Sequence, residues 1–241
     1  MVDRQQDSVN AGAGAETLWL ELPPISSAEP NRLIVFLHGA GSSAERFAPI
    51  AIAWMLKFPS AIGAILHALK PASVGPGGDW FDGLGASDIL APRVIRAGEQ
   101  VAQRIEALQR STGVGADATL VVGFSQGGTL ALELARSRPD LLSVAVSYGA
   151  RMIPLPRQGE TLNTTIHLLH GALDSVVPVV HAEQASRRLA ASGARVTLDV
   201  LEDYGHSIGQ DMIILGTTRV LQTVFRHRRP RRRSADGATL H

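Results

Sequence analysis

Short apolar runs recur along this chain, each followed by a stretch with helical spacing. RLIVFL (32–37), GAILHAL (63–69), TLVVG (119–123), LLSVAVSYG (141–149) and TTIHLLHG (164–171) are close to continuous, as strands buried on both faces are. ARVTLDVLE (194–202) and TLWLEL (17–22) alternate, and the latter reads as an edge strand. Helices are expected over about 44–57, 91–111, 127–137, 180–192 and 208–226. In the second of these, Val94, Val101, Ile105 and Leu108 recur at helical spacing, and Pro92 suits a first-turn position. Apolar runs that alternate with helical patterns along most of the chain specify an α/β class: a mostly parallel central sheet flanked by helices. With 241 residues and no linker-like stretch in the middle, one domain without a large lid is expected.

Composition removes several function classes. The chain has no cysteine, which excludes disulfides, thiolate metal sites and a cysteine nucleophile. No apolar run approaches the ~18–20 residues of a membrane span. Residues 1–16 are polar and Gly/Ala-rich, without the apolar core of a secretory signal. They read as a disordered lead-in, and the protein as cytoplasmic. The folded body is assigned to 17–226 and a basic disordered tail to 227–241. RHRRPRRR (226–233) holds six arginines; residues 1–225 hold 17 basic and 21 acidic side chains, net −4. Without aromatic residues such a run makes weak, sequence-blind contacts, so no specific nucleic-acid partner is assigned. No metal site is expected: His167 and His170 share a strand and point to opposite faces. Gly39-Ala40-Gly41 lacks the rest of a dinucleotide-binding pattern, and no cofactor is assigned.

The chemistry is concentrated where strands end. Gly123-Phe124-Ser125-Gln126-Gly127 lies between a buried strand and a helix. A serine at such a turn is lifted above the sheet in a strained conformation, and flanking glycines avoid collision with neighbouring backbone. Ser125 is therefore the candidate nucleophile; the alternative is an ordinary Gly-rich βα turn. His38-Gly39-Ala40-Gly41 follows the strand at 32–37. It offers the backbone N–H of Ala40 as an oxyanion donor beside that of Gln126, with His38 structural.

An acid and then a histidine should follow the serine. His206, in Asp203-Tyr204-Gly205-His206-Ser207, comes after the last strand and is the candidate base. Asp174, in HGALDSVVP (170–178), is the candidate acid; the alternative is a helix N-cap, which an aspartate before a helix also makes. Asp203 shares the histidine's loop, and Asp199 falls within a strand with its side chain expected toward solvent. By loop position, Met152, Ile153 and Val177 are expected to line an acyl pocket.

LHGAG (37–41), WFDG (80–83), GFSQGG (123–128), HGALDSVVP (170–178) and GHSI (205–208) resemble, in this order, the phospholipase/carboxylesterase family, which includes acyl-protein thioesterases. The small bacterial serine esterases are the most similar branch. The resemblance spans about 30–225. It implies an α/β-hydrolase fold and a cofactor-free enzyme acting on short to medium acyl esters, with thioesters or lysophospholipids as alternatives. It implies a triad of Ser125, Asp174 and His206, with Ala40 and Gln126 as oxyanion donors. Trp80 and Phe81 match a loop bordering the substrate groove, although core packing explains such aromatics equally well. Dimers are frequent in the family. Ala40 and the loop 71–79 depart from the thioesterase branch, which points away from deacylation of lipidated proteins.

Three rivals are weighed against this reading. A dienelactone-type hydrolase normally uses a cysteine that this chain lacks. A peptidase usually carries a lid or extra domain. A non-catalytic binding protein of the same fold would have no need of three competent side chains at the triad positions.

Overall fold

The apolar runs become neighbours in one seven-stranded sheet in the computed structural model, which describes residues 18–27 and 29–227, with backbone alone for 225–227. The lead-in at 1–16 and the tail beyond 227 lie outside the described residues. The strands are β1 (Trp19–Leu22), β2 (Arg32–Leu37), β3 (Ala61–Leu66), β6 (Thr119–Phe124), β7 (Val144–Tyr148), β8 (Thr165–Gly171) and β9 (Arg195–Leu201). β4 (Lys70–Pro71) and β5 (Gly78–Asp79) form a separate two-stranded hairpin. The sheet order is β1-β3-β2-β6-β7-β8-β9. Only β1 runs antiparallel, pairing Trp19 with Leu66 at the sheet's edge.

Five helices cover both faces: α1 (Ala44–Met55), α2 (Ser87–Thr112), α3 (Gln126–Ser137), α4 (Val180–Ala191) and α5 (Gln210–His227). Two apolar clusters result, because alternate strand residues point to opposite faces. Leu33, Val35, Val121 and Ile166 meet α2, α3 and α4. Ile34, Phe36, Val122 and Leu169 meet α1 and α5, where Phe47, Trp54 and Met212 are buried. The arrangement is the α/β-hydrolase fold, a mostly parallel sheet between helical layers.

Two local expectations change. α2 begins at Ser87, so Pro92 falls inside the helix rather than in its first turn. Its missing N–H leaves the Asp88 carbonyl without an i+4 donor, and both residues are exposed, where water supplies the bond. Asp199 faces α5 rather than open solvent: Arg219 Nε and Nη2 donate to its two oxygens at 2.9 and 2.6 Å. It shares a β9 face with Thr197 and Leu201, and α5 covers that face.

The chain leaves β2 toward β3 on one side and reaches β6 on the other, so the strand order reverses between β2 and β6. A crevice opens at the carboxyl ends of strands around such a reversal. The His38–Gly41 loop and the Ser125 turn both emerge there, side by side. α3 is the most buried helix of the set, with Gly127 through Ala135 all inside. One of these is Glu133, 1% exposed, whose carboxylate accepts from Arg136 Nε and Nη2 at 3.0 and 2.9 Å. Arg136 also donates to Glu160 at 3.1 Å. Glu133→Ala removes the more deeply buried of the two carboxylates paired with the Arg136 guanidinium and opens a void under α3. It is expected to cost about 3–5 kcal/mol, measured by urea unfolding.

Candidate active site

Ser125 is the N-cap of α3 at φ 54° and ψ −116°, the one non-glycine residue with positive φ among those described. Two close approaches make this turn tight. A Cβ on Gly123 would overlap the Gly127 carbonyl, and one on Gly127 would overlap the carbonyls of Leu37 and His38. Only glycine lets α3 start directly over β6 and against the end of β2. The Ser125 N–H donates to Tyr148 O at 2.9 Å, which fixes the turn to β7.

The hydroxyl meets His206. The Ser125 Oγ–His206 Nε2 distance is 2.9 Å, across 81 residues of sequence. His206 Nδ1 lies 2.7 Å from Asp174 Oδ2. A carboxylate only accepts, so Nδ1 carries the proton and Nε2 is the acceptor facing Ser125. Asp174 Oδ1 accepts from the N–H groups of Val176 and Val177 at 2.9 and 2.8 Å. Its side chain is 0% exposed. Burial alone would raise the Asp174 pKa, but the bonds from His206, Val177 and Val176 outweigh it and hold the carboxyl below its ordinary value. A serine, a histidine and a carboxylate linked in this way can turn the hydroxyl into a nucleophile.

Backbone contacts bring the acid and base loops together. Leu173 N–H donates to Tyr204 O and Ala172 N–H to Leu201 O, both at 2.9 Å. Gly171 is where they touch most closely, since a Cβ there would overlap the Tyr204 carbonyl. His170, 1% exposed, donates from Nε2 to Val177 O at 2.7 Å and lies 3.4 Å from Asp174 Oδ2. It holds the acid loop to β8, a role the sequence did not indicate.

Beside Ser125, α3 begins and the His38–Gly41 loop passes. Among the described residues, neither the Ala40 nor the Gln126 backbone N–H donates to another group of the chain. Three side chains fix this region. His38 is buried and donates from Nδ1 to Gly39 O at 2.8 Å, and burial lowers its pKa, so it stays neutral. Asp79 accepts from Gly41 N–H at 2.9 Å and from Ser73 N–H and Oγ at 2.8 and 2.9 Å, tying the loop to the β4–β5 hairpin. Burial pushes the Asp79 pKa up, and these donated bonds more than reverse that. Gln126 Oε1 accepts from Trp80 N–H at 3.0 Å and Nε2 donates to Phe81 O at 3.1 Å. The residue after the serine thus clamps the 80–83 segment through its side chain. Nothing in the sequence pattern marks that use of Gln126, and the Asp before Trp80-Phe81 was the only hint of the Asp79 tie.

A cavity of about 190 Å³ opens at Ser125. Phe81, Ile153, Val176 and Val177 supply its apolar surface, and Gln126, Thr129, Arg151 and His181 its polar groups. Two expected pocket residues lie elsewhere. Trp80 is 2% exposed and donates from Nε1 to His38 O at 2.7 Å, so it is a buried support of the loop, not a wall of the cavity. Met152 is 5% exposed within the core on the α2–α3 side, because the chain alternates there and turns Ile153 and Arg151 to the cavity instead. Among the described residues, no cluster of three or more histidines and carboxylates could hold a metal ion, and no helix is long and apolar enough to cross a membrane.

Comparisons with known proteins agree with this architecture. A family model described as Phospholipase/Carboxylesterase matches residues 25–215. Esterase YpfH of Escherichia coli (strain K12) is 32% identical over 197 residues, covering 81% of this chain and 84% of that protein. Lysophospholipase-like protein 1 of Mus musculus is 25% identical over 200 residues, covering 73% of this chain and 80% of that protein. The crystal structure of esterase PE8 aligns with a TM-score of 0.79 at 26% identity, covering 85% of this chain and 98% of that one.

Two outcomes are expected from these contacts. Gly171→Ala should push the His206 loop off the acid loop. A displacement of about 1 Å at a reacting group can cost ~100-fold in rate, so ester turnover should fall by about that factor while far-UV circular dichroism is retained. Asp174→Asn concerns stability. A carboxyl with a depressed folded pKa stabilises the fold above its unfolded value of about 3.9 and loses that contribution as pH falls through the folded value. The variant lacks the contribution at every pH. It should be less stable by about 1–3 kcal/mol at pH 7, with the gap closing as pH drops below about 4 in urea titrations.

Proposed function

Since the chain belongs to the phospholipase/carboxylesterase family of α/β hydrolases, we propose that it is a serine carboxylesterase that hydrolyses short to medium acyl esters through an acyl-enzyme on Ser125. The observation that carries this reading is the hydrogen-bonded chain from Ser125 Oγ through His206 to Asp174, at 2.9 and 2.7 Å, on a strained turn at the mouth of a cavity.

In this mechanism Ser125 Oγ attacks the acyl carbonyl carbon as His206 Nε2 takes the hydroxyl proton. The resulting imidazolium is stabilised by the Asp174 carboxylate, which stays ionised. The substrate oxygen, now an anion, accepts from the N–H groups of Ala40 and Gln126, and the α3 N-terminus adds its dipole. Collapse breaks the ester C–O bond, and the alcohol leaves with the proton from His206. A water molecule then gives a proton to His206 and its oxygen to the acyl carbon; collapse breaks the acyl–Oγ bond, and His206 returns the proton to Ser125 Oγ as the acid leaves.

The cavity size bears on the substrate. The cavity of about 190 Å³ has Phe81, Ile153, Val176 and Val177 as its apolar walls. Walls of that extent suit a short to medium acyl group.

The test is hydrolysis of p-nitrophenyl esters from acetate to decanoate by the protein and its Ser125→Ala variant. Turnover should peak at about butyrate to hexanoate and drop at least ~10³-fold in the variant. Turnover that survives the substitution, or no turnover anywhere in the series, would overturn the proposal.

A further inference from the structure

The cavity at Ser125 contains a cation with no counter-ion. Arg151 is half-buried and lines it, yet among the described residues its guanidinium makes no ion pair or hydrogen bond. Every other half-buried arginine has a protein partner. Arg93 pairs with Asp82, Arg136 with Glu133 and Glu160, Arg138 with Glu106 and Asp140, and Arg219 with Asp199. Arg104 donates to His67 O, and Arg32 also has an interaction. No aspartate or glutamate lies among the residues that line the cavity.

Arg151 is also held where an acyl chain would lie. Its backbone carbonyl accepts from Thr129 Oγ1 at 2.9 Å, and Thr129 N–H donates to Ser125 O at 2.9 Å. The arginine is therefore tied to the first turn of α3, one helical turn from the nucleophile. His181, on the first turn of α4, shares the cavity. Burial lowers its pKa, and the Arg151 charge lowers it further, so at neutral pH it is an uncharged donor beside the guanidinium.

We propose that the Ser125 cavity selects acyl groups ending in a carboxylate, held by Arg151 with His181 beside it, so that the preferred substrates are half-esters of short dicarboxylic acids. This rests on the esterase reading and narrows its substrate class. A guanidinium presents a planar fork that matches a carboxylate in two parallel hydrogen bonds. A phosphate dianion fits less well, since a single cation faces apolar walls. The acyl side is assigned because it stays on Ser125 through both half-reactions, so an anchor for it acts in both transition states. Bond changes are those of ester hydrolysis: water adds across the acyl C–O bond, and the products are the alcohol and a dicarboxylate.

Monomethyl glutarate and methyl valerate have acyl chains of five carbons and differ in the terminal carboxylate. Their kcat/KM ratio, followed by product chromatography, should favour monomethyl glutarate by about tenfold or more. Arg151→Met keeps the apolar stem and should lower that ratio at least about tenfold. Arg151→Lys keeps the charge without the fork and should fall between. Free glutarate provides a readout independent of turnover: it should raise the melting temperature of the unaltered protein and not that of Arg151→Met. A ratio below one, or one unchanged in Arg151→Met, overturns the inference and leaves the esterase reading standing if methyl valerate is cleaved in a Ser125-dependent way. A glutarate shift that needs Arg151, with neither ester cleaved, supports the carboxylate site and overturns the esterase reading. No shift and no turnover overturns both.

Discussion

The site depends on one backbone conformation. Ser125 sits at φ 54°, a region that costs a non-glycine residue about 1–3 kcal/mol. It persists because its surroundings leave no alternative. On one side β6 is hydrogen-bonded between β2 and β7, in the middle of the sheet. On the other, α3 is buried from Gly127 to Ala135 and cannot shift without breaking the packing of both β7 and α2. The turn between them must close in a single residue. Packing energy spread over many apolar contacts is thereby concentrated on the orientation of one hydroxyl, and it is available before any substrate arrives.

The polar groups then hold loops to that fixed point, each by a short chain of bonds. Gln126 binds the 80–83 segment, Asp79 binds the His38–Gly41 loop to the β4–β5 hairpin, and His170 binds the acid loop to β8. These groups are buried or half-buried and satisfied, which is the condition under which polar contacts add rigidity instead of cost. The apolar layers therefore set where strands end, and the polar contacts set which way the loop atoms between them point. Glu133 and Arg136 show the same economy away from the site, since a charge inside α3 is tolerated because its partner lies one turn on in the same helix.

The sequence disclosed the strands because burial on both faces writes itself as continuous apolar runs, and β2 and β6 come out close to the expected limits. It also singled out Ser125, Asp174 and His206 as candidates, because strand-end turns with glycine and a single polar residue of the right type are few. The structure brings the three within hydrogen-bonding distance. The pocket was far less legible. Trp80 and Phe81 are adjacent aromatics in one Pro/Gly-rich segment, and no pattern says that one turns to the core and the other to the cavity. Met152 and Arg151 pose the same problem in reverse, because the alternation after β7 is too short for the sequence to say which side faces the cavity. Asp199 was misplaced for a related reason: β9 alternates, but its partner Arg219 lies twenty residues on in a helix whose rotation about its axis the sequence does not fix.

Loop side chains of this kind carry specificity, and here they are tied to the same helix as Ser125. Gln126 holds Phe81, and Thr129 holds Arg151; both belong to the first turn of α3. A wall and the cation of the cavity are therefore positioned from the same turn that positions Ser125. Their spacing from the hydroxyl is set over one helical turn, not over separate loops that could drift independently. On the proposed esterase reading, a cavity referenced to Ser125 in this way would discriminate acyl groups by length and by terminal charge.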